Sequence, residues 1–245
     1  MADDSTRPPR WLKPMNKVFM TVLRLGPPVS RRAHVKGLRL GAAALMVSGG
    51  LLNAAPAQAN PMCTSDPMPA GAASRPFNGG TLWISNDGLI GITTPDGTGT
   101  LRVSTAAPTP IEAIVVDAEN NGQQQLIVSD GRSAHLYILI HCWISETYDS
   151  QGEPFIFDLQ NLRGRGTGVG CQDLGDGQHL VALQALPDGG GYVVNRTAIR
   201  MEGTTALRGP SDSVPGTSLQ DPVVAAAMTI TCGSQSIGAD GVRQP

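Results

Sequence analysis

Leu82-Trp83-Ile84 leads through Asn86-Asp87-Gly88 into Leu89-Ile90-Gly91-Ile92, and that through Asp96-Gly97 into Thr100-Leu101-Arg102-Val103. Short apolar and β-branched runs divided by Asp-Gly pairs read as strands joined by tight turns, because Gly accepts the positive φ that a hairpin turn requires. The same punctuation continues outward. Residues 111–116, 126–129 and 136–144 are the next runs, and the last is apolar on both faces, which predicts one central, covered strand. Phe155-Ile156-Phe157, residues 180–183, Tyr192-Val193-Val194 and residues 198–201 extend the pattern, with a turn at 187–191. Residues 222–228 are the one stretch that suits a short helix, and Thr229-Ile230-Thr231-Cys232 is extended again. Residues 60–80, rich in Pro, Ala, Gly and Ser, predict a linker or an ordered wrap held by Cys63, and residues 209–220 predict a loop.

Charge divides the chain differently. Residues 1–59 hold nine Lys/Arg against Asp3 and Asp4, whereas residues 60–245 hold nine Arg, no Lys and eighteen Asp/Glu, a net −9. Such a body is a poor partner for nucleic acid, whose binding rests on neutralising phosphates. The basic part ends as a signal peptide does: Arg31-Arg32, Lys36 and Arg39 precede a 13-residue stretch of apolar and small residues from Leu40 to Leu52, then Ala57-Gln58-Ala59, with cleavage expected before Asn60. The Arg pair followed by Lys36 resembles the twin-arginine export motif, with His34 where Phe is usual, and an ordinary secretory signal is the alternative. Thirteen residues fall short of the roughly 20 that a membrane span needs. The expected organisation is a leader over 1–59, a linker over 60–80 and a β-rich exported domain over 81–245, in the periplasm, the cell envelope or outside the cell, with no transmembrane span in the mature chain.

Cys63, Cys142, Cys171 and Cys232 all fall in the acidic part. In an oxidising compartment an even number reads as two disulfides, of which three pairings exist. Cys63–Cys232 with Cys142–Cys171 is the expected one, tying the start of the domain to its end. The spacings do not form the close pairs of a zinc site.

One turn has more pattern than a turn needs. Asp117-Ala118-Glu119-Asn120-Asn121-Gly122-Gln123-Gln124-Gln125 sets oxygen-bearing side chains at its first, third, fifth and ninth positions and Gly at the sixth, directly before a strand. Alternate residues of a tight loop converge on a hard cation that wants six or more oxygens, so this is the spacing of a calcium loop. Equally, Asp, Asn and Gly dominate plain turns. A shortened copy, with Asp173 and Asp176, begins 56 residues later.

These two stretches, residues 115–128 and 168–183, resemble the FG-GAP/VCBS family of extracellular repeats, with a looser echo at 85–103. The text around Phe157-Asp158-Leu159-Gln160-Asn161-Leu162 is similar to exported VCBS-type proteins of high-GC bacteria. The resemblance implies propeller blades, adhesion or ligand binding, and calcium held by Asp117, Glu119, Asn121 and Gln125 with the Gln123 carbonyl, and in the second copy by Asp173 and Asp176. Only Asp117 and Glu119 of the first loop carry formal charge, which implies weak affinity. A period of 56 fits only about three times after Ala59, so a complete seven-blade ring is excluded. The expected fold is all-β, with antiparallel strands in the blades of a small or partial β-propeller, or alternatively a disulfide-stapled β-sandwich.

Function divides into two classes. No G-x-S-x-G, H-E-x-x-H or P-loop is present. The expected function is therefore an exported binding or interaction module for an extracellular protein or glycan, with calcium as its one candidate cofactor. The alternative is an envelope-directed hydrolase using acids such as Glu146 with Asp149 or Glu153 with Asp158. The Gly-rich run 163–168 reads as a basic surface loop. Trp83, Trp143 and Tyr148 suit either a sugar platform or the core, and Asn195-Arg196-Thr197 is a glycosylation sequon without consequence behind a bacterial-type leader.

Overall fold

The computed structural model describes residues 63–105, 109–159 and 166–245. The expected leader, with Arg31, Arg32, Ala57 and Ala59, lies outside them, as do residues 163–165 of the Gly-rich run. The described chain is all-β and antiparallel, and its strands come in three consecutive meanders. The first joins β1 (Ala73–Phe77), β2 (Gly80–Ile84), β3 (Ile90–Thr94) and β4 (Gly97–Leu101). The second joins β5 (Glu112–Val116), β6 (Gln125–Ser129), β7 (Ser133–Ile140) and β8 (Trp143–Glu146), with β9 (Ile156–Asp158) following β8 along the same edge of β7. The third joins the longer strands β10 (Gly166–Asp173), β11 (Gln178–Asp188), β12 (Gly191–Glu202) and β13 (Thr205–Gly216).

Alternation along the strands assigns the faces. In the second sheet Ala113, Val115, Leu126, Val128, Tyr137 and Leu139 pack with Leu82, Ile84, Ile90 and Ile92 of the first sheet. Their neighbours Ile114, Val116, Ile127 and Leu136 pack with Val169, Leu180 and Ile199 of the third. The second sheet is thus the middle layer, covered on both faces. The outer face of the third sheet, with Val181, Leu183, Ala185 and Val194, is closed by Val224 and Ala227 at the short helix α1 (Pro222–Ala226), which Asp221 caps by accepting from the Val223 N–H.

The C-terminal segment then returns. Thr229 accepts from the Val169 N–H beside β10 (3.0 Å), and a hairpin of β14 (Thr231–Cys232) and β15 (Gln235–Ser236) leads into α2 (Ile237–Asp240). Finally β16 (Val242–Arg243) pairs with β5 and completes the free edge of the middle sheet.

Cysteine pairing differs from expectation: the disulfides are Cys63–Cys142 and Cys171–Cys232, with Cα separations of 5.9 and 4.6 Å. The reason lies in the layers. Thr64 pairs with Thr98 on the open edge of β4, which brings Cys63 to the β7–β8 turn where Cys142 sits, while Cys232 lies along β10 beside Cys171. Each bridge therefore staples a flanking segment to the sheet next to it. The run 136–144 is likewise two strands and not one, since the chain reverses at His141, whose φ is 58°. Residues 63–80 are the ordered wrap and contribute β1, and residues 209–216 of the loop expected over 209–220 belong to β13.

Asp130, at the β6–β7 turn, is almost fully buried. Burial pushes its carboxyl up, but the Thr105 hydroxyl, the Ser133 and Arg132 N–H groups and the Ser133 hydroxyl all donate to it, and together they hold it down at about 2. A folded-state value below the unfolded one of roughly 3.9 means that its stabilisation is complete above pH ~4 and is lost as pH falls toward ~2. We expect Asp130→Asn to lack about 2 kcal/mol of acid-labile stability, read as the difference between urea melts of the two proteins at pH 5 and pH 2.5.

Candidate functional site

The two Asp-rich loops occupy the first hairpin of consecutive sheets, β5–β6 and β10–β11, and the fold brings them together. Asn120 Nδ2 donates to Gln178 Oε1 (2.8 Å), and Glu119 accepts through Oε1 from His179 Nδ1 (3.0 Å) and the Met201 N–H (3.3 Å) while its Oε2 accepts from Asn121 Nδ2 of its own loop (3.0 Å). His179 Nε2 faces Asp176 Oδ2 at 3.6 Å, and the same oxygen accepts from Arg200 Nε (2.7 Å). Glu119, Asp176 and His179 are largely buried. The result is a polar clasp across the ends of two sheets, in which Asp176 Oδ1 and His179 Nε2 are buried without a hydrogen-bond partner among the described residues.

The remaining oxygens of the first loop are engaged locally. Asp117 accepts from the N–H groups of Asn121 (3.1 Å) and Gly122 (2.9 Å), Asn121 Oδ1 from Gln123 N–H (2.8 Å), and Gln125 Oε1 from Ala118 N–H (2.9 Å). The buried Gln125 amide also donates to the Gln123 carbonyl, the main-chain group named as a ligand. Asp173 accepts from the Gly175 and Gly177 N–H groups, which hold its carboxyl below the usual range. Among the described residues, no group of three or more His, Cys, Asp or Glu side chains is arranged to hold a metal ion.

Openings gather elsewhere, around β9. Phe155, Ile156 and Phe157 form a rib, the two Phe rings meeting edge to face with centroids 5.0 Å apart. On the side of the third sheet lie cavities of about 330 and 480 Å³, lined among others by Phe155, Ile156, Thr167, Gln184, Asn195 and Arg208. On the side of the first sheet a cleft of about 390 Å³ holds Arg102, His135, Tyr137 and Glu146. There burial, and then the Glu146 charge, push the Tyr137 hydroxyl up to about 12, so it stays protonated. Ile156 is 46 % exposed and borders all three openings.

The floor of the groove follows from strand length. β11, β12 and β13 run 11, 12 and 12 residues against 5 to 8 in the main strands of the middle sheet, so one end of the third sheet extends beyond its cover. The face that carries Val169, Leu180 and Ile199 in the core carries polar residues at that end. Thr167, Gln184, Asn195 and Ser213 stand side by side, one per strand, in register. The Thr167 hydroxyl is buried without a protein partner, and the side chains of Gln184 and Arg208 make no hydrogen bond or ion pair within the described residues. Sequence reading missed this row, although residues of one face alternate in Asn195-Arg196-Thr197, because the register that aligns four strands is not written in any one of them.

The acid pairs proposed for hydrolysis are not set up alike. Glu146 accepts from the Tyr148 hydroxyl (3.2 Å), whereas Asp149 accepts from the Gln151 and Glu153 N–H groups of its own turn. Trp83 is buried in the first sheet, away from the groove. No helix among the described residues is long and apolar enough to cross a membrane. Comparison with models of known protein families, with curated proteins and with solved structures finds no match.

Proposed function

We propose that this chain is an exported binding module whose three meanders act as blade-like units of a partial propeller stack and whose ligand seat is the groove beside β9. The observation that carries it is the polar row on the overhanging end of the third sheet, in which the Gln184 side chain has no partner among the described residues, walled by the Phe155–Phe157 rib. Two disulfides, of a kind that persists in oxidising compartments, support export. The placement of both Asp-rich loops on the same hairpin of consecutive sheets supports the repeat. A rigid scaffold with a preformed concave site lowers the entropic cost of binding.

The test uses insoluble bacterial cell-envelope material. The oxidised full chain is expected to sediment with it, and Gln184→Ala/Asn195→Ala to lower retention by at least about tenfold with an unchanged melting temperature, a tenfold loss corresponding to ~1.4 kcal/mol. Equal retention of the double variant overturns the seat. Soluble fragments released from the material overturn binding in favour of hydrolysis.

Calcium enters this reading as a bystander. With Glu119 Oε1 drawn to His179, the first loop keeps only Asp117 and one oxygen of Glu119 as charged groups, and low ligand charge weakens a calcium site. Ten millimolar calcium, roughly ten times the weakest dissociation constants of natural loops, is expected to leave the melting temperature within 1 °C. A saturable rise that Asp117→Ala abolishes would show that the loop is a working cation site.

A further inference from the structure

We propose that the groove takes a saccharide chain, laid across the strands of the third sheet; this rests on the binding-module reading and names its ligand class. The row Thr167, Gln184, Asn195, Ser213 offers, in order, a hydroxyl, an amide, an amide and a hydroxyl, all uncharged and each both donor and acceptor. Adjacent strands lie about 4.8 Å apart, so the row spans roughly 14 Å, the footprint of several linked rings and not of one. A ligand that matches it must itself present donors and acceptors in dense alternation along its length, as the hydroxyls of a sugar chain do.

The row is also held in place. Ser213 Oγ donates to Asn195 Oδ1 (2.8 Å), which fixes the Asn195 amide plane, and in the next row Ser211 Oγ donates to Thr197 Oγ1 (3.0 Å). Gln184, exposed and without a side-chain hydrogen bond among the described residues, remains for the ligand. Beside the row, the Phe155 ring is braced by Phe157, a flat apolar wall of the kind on which the C–H face of a sugar rests. Arg208, without an ion pair among the described residues, stands at the end of the groove nearest Ile199 and suits an acidic substituent.

Other ligand classes fit less well. A nucleic acid meets a chain with no Lys after residue 59 and a net −9. A bound peptide strand would add to an open sheet edge, but the open edge of β13 carries Pro210 and Pro215, which lack the N–H that such pairing uses. A metal would need acidic ligands, and the row has none.

The experiment returns to envelope retention and treats the material before binding. Periodate, which cleaves the vicinal diols of sugars, is expected to abolish retention of the full chain, and exhaustive protease digestion to leave it unchanged. The reverse outcome, with retention still lost in Gln184→Ala/Asn195→Ala, identifies a protein ligand and overturns the saccharide while keeping the seat. Retention insensitive to the double variant overturns the seat and the saccharide together. Gln172→Ala, on the opposite face of the same sheet, is the control and is expected to bind like the parent. Soluble oligosaccharides released from the material are expected to compete at least about tenfold better as tetramers than as single sugars. Equal competition by the single sugar would overturn the extended mode.

Discussion

Gly91→Ala is expected to cost about 3 kcal/mol or more, the upper range for overpacking a core, and to lower the melting temperature by about 6–12 °C. Gly91 pairs with Trp83 across β2 and β3, and the indole lies flat over it: a Cβ at Gly91 would stand 1.9 Å from Trp83 Cζ2 and 2.1 Å from Cε2. The ring has no easy retreat, being 1 % exposed and tethered through Nε1 to Thr93 Oγ1 at 3.1 Å, with Thr93 in turn bonded to Thr98. Urea and thermal melts measure the loss. A Gly238→Ala control, where the added methyl meets open space in α2, is expected to be neutral or to stabilise by about 0.5 kcal/mol. Combining Gly91→Ala with Trp83→Leu is expected to cost less than the sum of the two, since the smaller side chain gives the methyl room. Wild-type melting of Gly91→Ala would show that the indole does not rest there.

The second large effect belongs to the Cys171–Cys232 bridge. Its partners are 61 residues apart, and closing a loop of that size stabilises by about 4 kcal/mol through the entropy it removes from the unfolded chain. Cys171→Ser/Cys232→Ser is therefore expected to melt about 8–16 °C lower. Beyond entropy, the bridge fixes the segment that runs beside β10 and leads to β16, so the variant is also expected to exchange the amide hydrogens of residues 229–244 far faster. Non-reducing peptide mapping checks the pairing itself: peptides containing Cys63 and Cys142 should elute linked, and a Cys63–Cys232 peptide would contradict the layered arrangement.

Strands with alternating or continuous apolar residues were legible in the sequence. Residues 111–116 and 126–129 nearly coincide with β5 and β6, because burial on both faces of the middle sheet demands such runs. The strands that were missed are missing their apolar signature for physical reasons. The first residues of β10, 166–168, read as part of a glycine-rich loop since the returning segment lies against them: a Cβ at Gly168 would stand 2.4 Å from the Thr229 carbonyl oxygen. β13 reads as a loop since it is an edge strand, where Pro210 and Pro215 are tolerated and exposed Ser and Asp are ordinary. Of the candidate site, the Asp-rich loops were visible as local spacing. That Glu119 would reach His179, sixty residues on, and that Thr167, Gln184 and Asn195 would align, are properties of tertiary register, which local spacing does not encode.

The position of β16 bears on how the chain matures. Residues 242–243 complete the edge of the layer at the centre from a segment that follows all three meanders in the chain, so that layer cannot close this edge until the returning segment has docked. Until then β5 presents an unpaired edge at Glu112-Ala113, next to the apolar Ile114-Val115-Val116. A chain in which β16 is undocked keeps that edge open, which favours aggregation through strand addition. Docking of the returning segment is thereby coupled to concealment of an edge able to nucleate misassembly.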